Sequence, residues 1–182
     1  MKILVCVCGS IAAYKSADLV NQLYKNGNEV KVMMTENATK FITPLTLQTL
    51  SKQSVITDTF NEEDPEKINH IYYAQEFDII VVAPMTANMI GKVANGIADD
   101  IVSSTLIATN KPVLLVPSMN TVMYENKITQ DNLKKLHDYG FYIMEPDCGL
   151  LACGTEGKGK FPSVSDIVAE IYHVWQKLSN IT

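Results

Sequence analysis

The sequence contains no arginine: its basic residues are fifteen lysines, set against twenty acidic residues for a net charge of −5. An acidic chain without a lysine-rich run lacks the electrostatic footprint of a nucleic-acid-binding protein. No apolar run approaches the ~20 residues that a membrane span requires. Neither G-x-G-x-x-G nor G-x-x-x-x-G-K-[ST] occurs, so the dinucleotide fingerprint and the P-loop are both missing. The four cysteines, Cys6, Cys8, Cys148 and Cys153, do not show zinc-ligand spacing, and nothing demands disulfides. The apolar start, MKILVCVCGS, is too short for a signal peptide and reads as a first strand. The expected compartment is therefore the cytosol.

What is present is a chain of 182 residues, 47% of them hydrophobic, enough for one domain spanning 1–182 around a substantial core. KILVCVC (2–8), EVKVMMT (29–35), FDIIVVAP (77–84), PVLLVPS (112–118) and FYIMEP (141–146) read as strands, with SVITDTF as a short one. The continuous apolar runs suit strands buried on both faces of a parallel sheet. Cys6 and Cys8 alternate in the first of them and read as small buried hydrophobes. Helical patterns lie between: 11–26, 44–52 with Pro44 in its first turn, TANMIGKVANG, IADDIVSSTLIA, and 129–140 with Thr129 as cap and Gly140 as stop. A last helix from Ser163 carries an apolar stripe through Ile167, Val168, Ile171, Val174, Trp175 and Leu178. This alternation predicts an α/β, Rossmann-like (flavodoxin-like) three-layer fold with a central parallel sheet. Residues 147–162, which include LLACGTEGKGK, form the one long stretch without a predicted element and are expected to be a mobile lid.

In such a sheet, ligands lie beyond the carboxyl ends of the strands. Those ends read CGSIA, MTENA, APMTAN and PSMNTVMY: small, hydroxylic and amide residues with almost no charge. Gly9 and Ser10 precede a helix whose free N–H groups suit a phosphate, or simply make a strand-to-helix turn. Thr86 and Asn88 cap the next helix or contact a ligand. Together the strand ends suit a neutral, flat, hydrogen-bonding ring with one phosphate, such as FMN. Of the histidines, His137 and His173 read as helix-surface residues. His70, in KINHIYYAQEFD, is divided between a cap and a catalytic base.

GSIAAYKSADL, PMTAN, NGIADD, PSMNTVMY and LLACGTEGKGK occur in this order. Over nearly the whole chain the sequence resembles the homo-oligomeric flavin-containing cysteine decarboxylases, nearest to the standalone members that act on phosphopantothenoylcysteine in coenzyme A biosynthesis. The resemblance implies FMN contacts at Gly9, Ser10, Ile11, Thr35, Asn37, Thr86, Ala87, Asn88 and Ser118. It implies an active-site histidine at His70 and a proton-donating cysteine at Cys153. It further implies a substrate motif through Pro117, Met119, Asn120, Met123 and Tyr124, with Ala152, Lys158 and Lys160 also near substrate. It implies homotrimers, or assemblies of trimers, with the flavin near a subunit interface. Met85 and Tyr124 stand where relatives usually carry Ala and Trp. Ala74 and Gln75 stand where relatives often carry a basic residue.

The implied chemistry is oxidation of the cysteinyl CH2–SH to a thioaldehyde, loss of CO2 to an enethiolate, and reduction of the enethiol with a proton from Cys153. His70 would be the base or orient the carboxylate, and Asn120 would bind the carboxylate or adjacent amide. A peptidyl-cysteine decarboxylase of peptide-antibiotic maturation, a flavin prenyltransferase and a flavodoxin-like electron carrier are the alternatives. Cys153 weighs against the first, and the lack of suitably placed basic residues for a prenyl phosphate against the second.

Overall fold

The structure is a computed structural model that describes residues 1–61 and 64–179, with side chains to residue 177. Six parallel strands form the central sheet: β1 Lys2–Val7, β2 Glu29–Met34, β3 Val55–Ile56, β4 Ile79–Met85, β5 Val113–Pro117 and β6 Tyr142–Ile143. Their order is β3-β2-β1-β4-β5-β6. That is the order of the doubly wound dinucleotide fold and differs from the 2-1-3-4-5 order of flavodoxins. The direction of winding reverses between β1 and β4, which pair from Ile3 with Ile79 to Cys6 with Val82. The reversal opens a crevice above that point.

Helices cover both faces. Around α1 (Lys15–Lys25), α2 (Pro44–Ser51) and α8 (Val164–Ser179), one core gathers Val5, Val32, Val81 and Val116 of the sheet with Leu19, Leu47 and Ile171 of the helices. The opposite core joins Cys6, Cys8, Met33, Val82 and Leu115 to α4 (Ala87–Ala94), α5 (Ile101–Ala108) and α7 (Lys127–Asp138). Alternate strand residues thus enter opposite cores, as the pleat requires, and Cys6 and Cys8 share a face. Each fully buried Leu, Ile or Met anchors its element by about 2–5 kcal/mol against truncation to Ala.

Several elements differ from the sequence reading. Residues 11–14 form a short 3-10 turn before α1. A helix, α3 (Asn69–Glu76), precedes β4 and was not legible as one; no side chain caps it. Asn126, not Thr129, caps α7, accepting from the Ile128 N–H, while Thr129 is buried within the helix. A short α6 (Thr121–Glu125) follows β5. Residues 147–162 are not structureless. They fold into an antiparallel hairpin of β7 (Asp147–Leu150) and β8 (Glu156–Lys160). Trp175 lies at the margin of its helix stripe, 37% exposed, and the side chain of Leu178 lies outside the described residues.

Candidate active site

The carboxyl edge of the sheet is stapled beyond the strands themselves. Thr35 N–H donates to the Val7 carbonyl, Cys8 N–H to Pro84 and Ser118 N–H to Met85. Gly9 is required here: a Cβ at this position would lie 2.5 Å from Cβ of Asn37, so only glycine lets the ends of β1 and β2 approach. The result is a cleft of about 560 Å³, lined by Gly9 and Ser10 after β1, Thr35 and Asn37 after β2, Thr86, Ala87 and Asn88 opening α4, and Ser118 after β5. This is within the usual size of a small-ligand site.

Three hydroxyls of the cleft share one arrangement. Ser10 Oγ accepts from the Ala12 N–H at 3.2 Å, Thr35 Oγ1 from Ala38 at 3.2 Å, and Thr86 Oγ1 from Met89 at 3.3 Å. Each hydroxyl is thereby oriented as a cap, and among the described residues none donates its own proton. A set of oriented donors without added charge fits the phosphate, ribityl and ring oxygens of a flavin. Ile11 is the exception among the expected contacts: it is 56% exposed and does not line the cleft.

Four charged residues of the cleft carried no expected role: Glu36, which pairs with Lys40, and the trio Lys92, Asp99 and Asp100. Lys92 of α4 reaches Asp99 and Asp100, both at 2.7 Å. Burial would lower the Lys92 pKa, but the hydrogen bonds to Asp100 and Asp99 outweigh it and leave it raised. Asp100 also caps α5 in a capping box with Ser103. The signal was in the sequence: NGIADD follows Lys92 closely, and Lys92 is one helical turn from Asn88, on the same face.

A second group of residues meets beside the cleft. Met123 and Met119 line its wall. Asn120 caps α6, its Oδ1 accepting from Val122 at 2.9 Å, and its Nδ2 donates to Cys153 Sγ at 3.2 Å. Cys153 is exposed in the turn of the hairpin, and Thr155 Oγ1 lies 3.1 Å from its sulfur. Hydrogen bonds from the Thr155 hydroxyl, the Thr155 backbone N–H and Asn120 lower its pKa to about 7. The hairpin is seated by glycines: a Cβ on Gly157 would stand 2.6 Å from Thr121 Oγ1, and Gly159, at φ +132°, accepts the Met119 N–H at 3.0 Å. Ala152 is exposed beside Cys153. Lys158 pairs with Glu145, and Lys160 is exposed on the same strand.

His70 is not brought to this place. It sits in the first turn of α3, half-buried, and does not line the cleft. Its Nδ1 is buried and has no hydrogen-bond partner among the described residues.

The fold is shared with known proteins. The flavoprotein family model matches residues 1–176. The chain is 48% identical over 166 residues to the coenzyme A biosynthesis bifunctional protein CoaBC of Bacillus subtilis, covering 91% of this chain but spanning only 41% of that protein's length. It is 46% identical over 172 residues to a probable phosphopantothenoylcysteine decarboxylase of Streptococcus mutans, covering 93% and 96% of the two chains. Among solved structures, a cysteine-to-serine variant of PPC decarboxylase complexed with pantothenoylaminoethenethiol matches with a TM-score of 0.86 at 29% identity, over 96% of this chain and 98% of that one. The FMN binding protein AtHal3 matches with a TM-score of 0.83, also at 29% identity, over 97% of each chain.

Proposed function

The chain belongs to the flavoprotein family, and on that premise we propose that it is an FMN-dependent carboxy-lyase. Its substrate would be phosphopantothenoylcysteine and its product phosphopantetheine, a step of coenzyme A biosynthesis. The observation that carries this reading is the contact of Asn120 with Cys153 beside a cleft lined by hydroxyl and amide groups at four strand ends. Bound FMN supplies the electron sink that a cysteine carboxylate needs before losing CO2, and serves as hydride acceptor and donor.

The chain's own residues do the rest. Ser10, Thr35 and Thr86 offer the cofactor the hydroxyl protons that their caps leave unused. Asn120 has one amide proton on Cys153 and a second for the substrate carboxylate or adjacent amide. A neutral donor orients the carboxylate without the charge that would resist CO2 departure. Cys153, with its pKa near 7, is matched to proton delivery at neutral pH. The hairpin that bears it serves as the lid, its turn moving while Gly157 and Gly159 stay seated.

A homotrimer, or an assembly of trimers, belongs to the same proposal. His70 does not line its own cleft, and it is flanked by the exposed Ile68, just before α3, and Ile71, on α3. Ile97 and Ile107, on the loop before α5 and on α5, are also exposed. Because α3 packs against α5, this apolar exposure supports a subunit contact in which one protomer's His70 serves as base at its partner's cleft. The test is direct. The purified protein should carry about one flavin per chain, read from its visible spectrum, and convert phosphopantothenoylcysteine to CO2 and saturated phosphopantetheine. A colourless protein that cannot be loaded with FMN sinks the reading. An enethiol as final product would favour the peptidyl-cysteine type of reaction instead.

A further inference from the structure

The proposed substrate carries a phosphate, and the chain lacks a basic residue just after His70 to receive it. Ala74 is fully buried, its carbonyl accepting from Thr109 Oγ1 at 2.6 Å, and Gln75 is neutral. The cation must come from elsewhere. Lys158 lies on β8, the strand seated against α6 and leading away from Cys153. Its Nζ pairs with Glu145 Oε2 and lies 5.6 Å from the centroid of the Tyr124 ring. The same carboxylate oxygen accepts the Tyr124 hydroxyl at 3.3 Å. The Tyr124 side chain is buried, whereas the Glu145 side chain is 68% exposed. The hydrogen bond with Glu145 raises the Lys158 pKa, so the ammonium is fully charged. Of its two partners, the ring belongs to a buried side chain and is held in place; the exposed carboxylate is the replaceable one.

We propose that Glu145 is an internal stand-in for the substrate's phosphate: it occupies Lys158 in the free enzyme and is exchanged for the phosphate when substrate binds. The inference rests on the decarboxylase reading and adds the residues that select a phosphorylated substrate. An exposed carboxylate–lysine pair is weak and opens at little cost. A phosphate brings nearly two charges and three acceptor oxygens, against the single charge and two oxygens of the carboxylate. Tyr124 keeps its hydroxyl in the same place and passes its hydrogen bond from one anion to the other. The reach is suitable: even fully extended at ~3.3 Å per residue, the chain from position 153 in the turn to position 158 on β8 spans at most about 16 Å, the order of an extended pantothenoyl arm. The exchange discriminates against dephosphorylated substrate, which would leave the Lys158–Glu145 pair closed and gain nothing from it.

The experiment compares phosphopantetheine with pantetheine on the FMN-loaded protein, by calorimetry, and the phosphorylated with the dephosphorylated cysteine substrate by kcat/KM. Wild type should prefer the phosphorylated partner by roughly tenfold to a hundredfold, the range of a hydrogen bond to a charged group. Lys158→Met should bring the preference close to one, and Lys158→Arg should retain it. Glu145→Gln, which removes the competitor and keeps the shape, should sharpen the preference by about two- to fivefold. A preference that survives in Lys158→Met overturns the inference. So does a Glu145→Gln variant that binds phosphopantetheine more weakly, because the pair would then be a latch for the hairpin. If wild type binds both ligands equally, this inference alone fails. If it binds neither and releases no CO2 from either substrate, the decarboxylase reading falls, and this inference with it.

Discussion

Cys8 and Cys153 place the same side chain in opposite settings. Cys8 lines the cleft floor, 1% exposed, and burial pushes its thiol up to about 12, although a backbone hydrogen bond from Thr86 pulls the other way. Cys153 is exposed, and three hydrogen bonds lower it to about 7. The difference teaches that burial against exposure, together with the donors placed around the sulfur, decides whether a thiol is an inert packing group or an acid. It also separates two kinds of construction. The cleft stands on strands buried between two cores. The hairpin stands on two short strands and on glycines pressed against α6, which suits a part that must approach and leave a substrate.

The largest expected effect breaks that contrast at its reactive end. Cys153→Ser should lower formation of saturated product by about a hundred- to ten-thousand-fold, the usual cost of losing a general acid. A single turnover should still release CO2 and leave an enethiol, seen by mass spectrometry with flavin absorbance followed in parallel. Cys8→Ser should not do this. Its cost should be in stability, about 1–3 kcal/mol for a poorly partnered buried hydroxyl, read as a lowered Tm. Equal losses of saturated product in both variants would show that the two thiols are not divided as the structure divides them.

A middle-sized effect tests the rigid region. Gly9→Val places a side chain where Asn37 already stands. Overpacking of this kind costs about 1–3 kcal/mol, and here the strain falls on the edge that lines the cleft. The variant should purify folded but with little flavin, measured as the ratio of visible to protein absorbance. A fully loaded variant would mean that β1 and β2 need not approach closely to hold the cofactor.

The two regions were not equally legible in the sequence. The central strands announced themselves as largely apolar runs, and the cleft because short polar residues follow β1, β2, β4 and β5 at the same edge. Apart from Ile11, the residues expected at the cofactor fall on one cleft. The hairpin was hidden because Gly154, Gly157 and Gly159 read as mobility. Gly157 and Gly159 in fact permit close packing against Thr121 and Met119, a long-range fact that local sequence does not carry. α3 was hidden because Ile68 precedes it and no side chain caps it. At α7 the expected cap, Thr129, lies buried inside the helix, which begins earlier and is capped by Asn126. The pairing of Lys158 with Glu145 depends on where β8 lies against α6, so it too became visible only in three dimensions.

The smallest effect sharpens the comparison without removing either thiol. The Thr155 hydroxyl is the largest cause of the lowered Cys153 pKa, ahead of the Thr155 backbone N–H and Asn120. Thr155→Val deletes the hydroxyl and keeps the shape and the N–H. The pKa of Cys153 should therefore rise from about 7 toward the ordinary thiol range. In a Cys148→Ser background, which removes the other exposed thiol, the pH dependence of iodoacetamide alkylation reads this directly: thiolate reacts, so the rate rises as pH climbs through the pKa, and the midpoint should move up. Cys6 and Cys8 should stay unreactive over the same range, since burial holds both thiols protonated. Proton delivery has the opposite sign. A donor must hold its proton, so formation of saturated product should fall as pH climbs through the same pKa, and in Thr155→Val that fall should begin at higher pH. The two midpoints must move together. An alkylation midpoint that shifts while the falling limb of turnover stays in place would leave Cys153 an acidic thiol but assign proton delivery to another group.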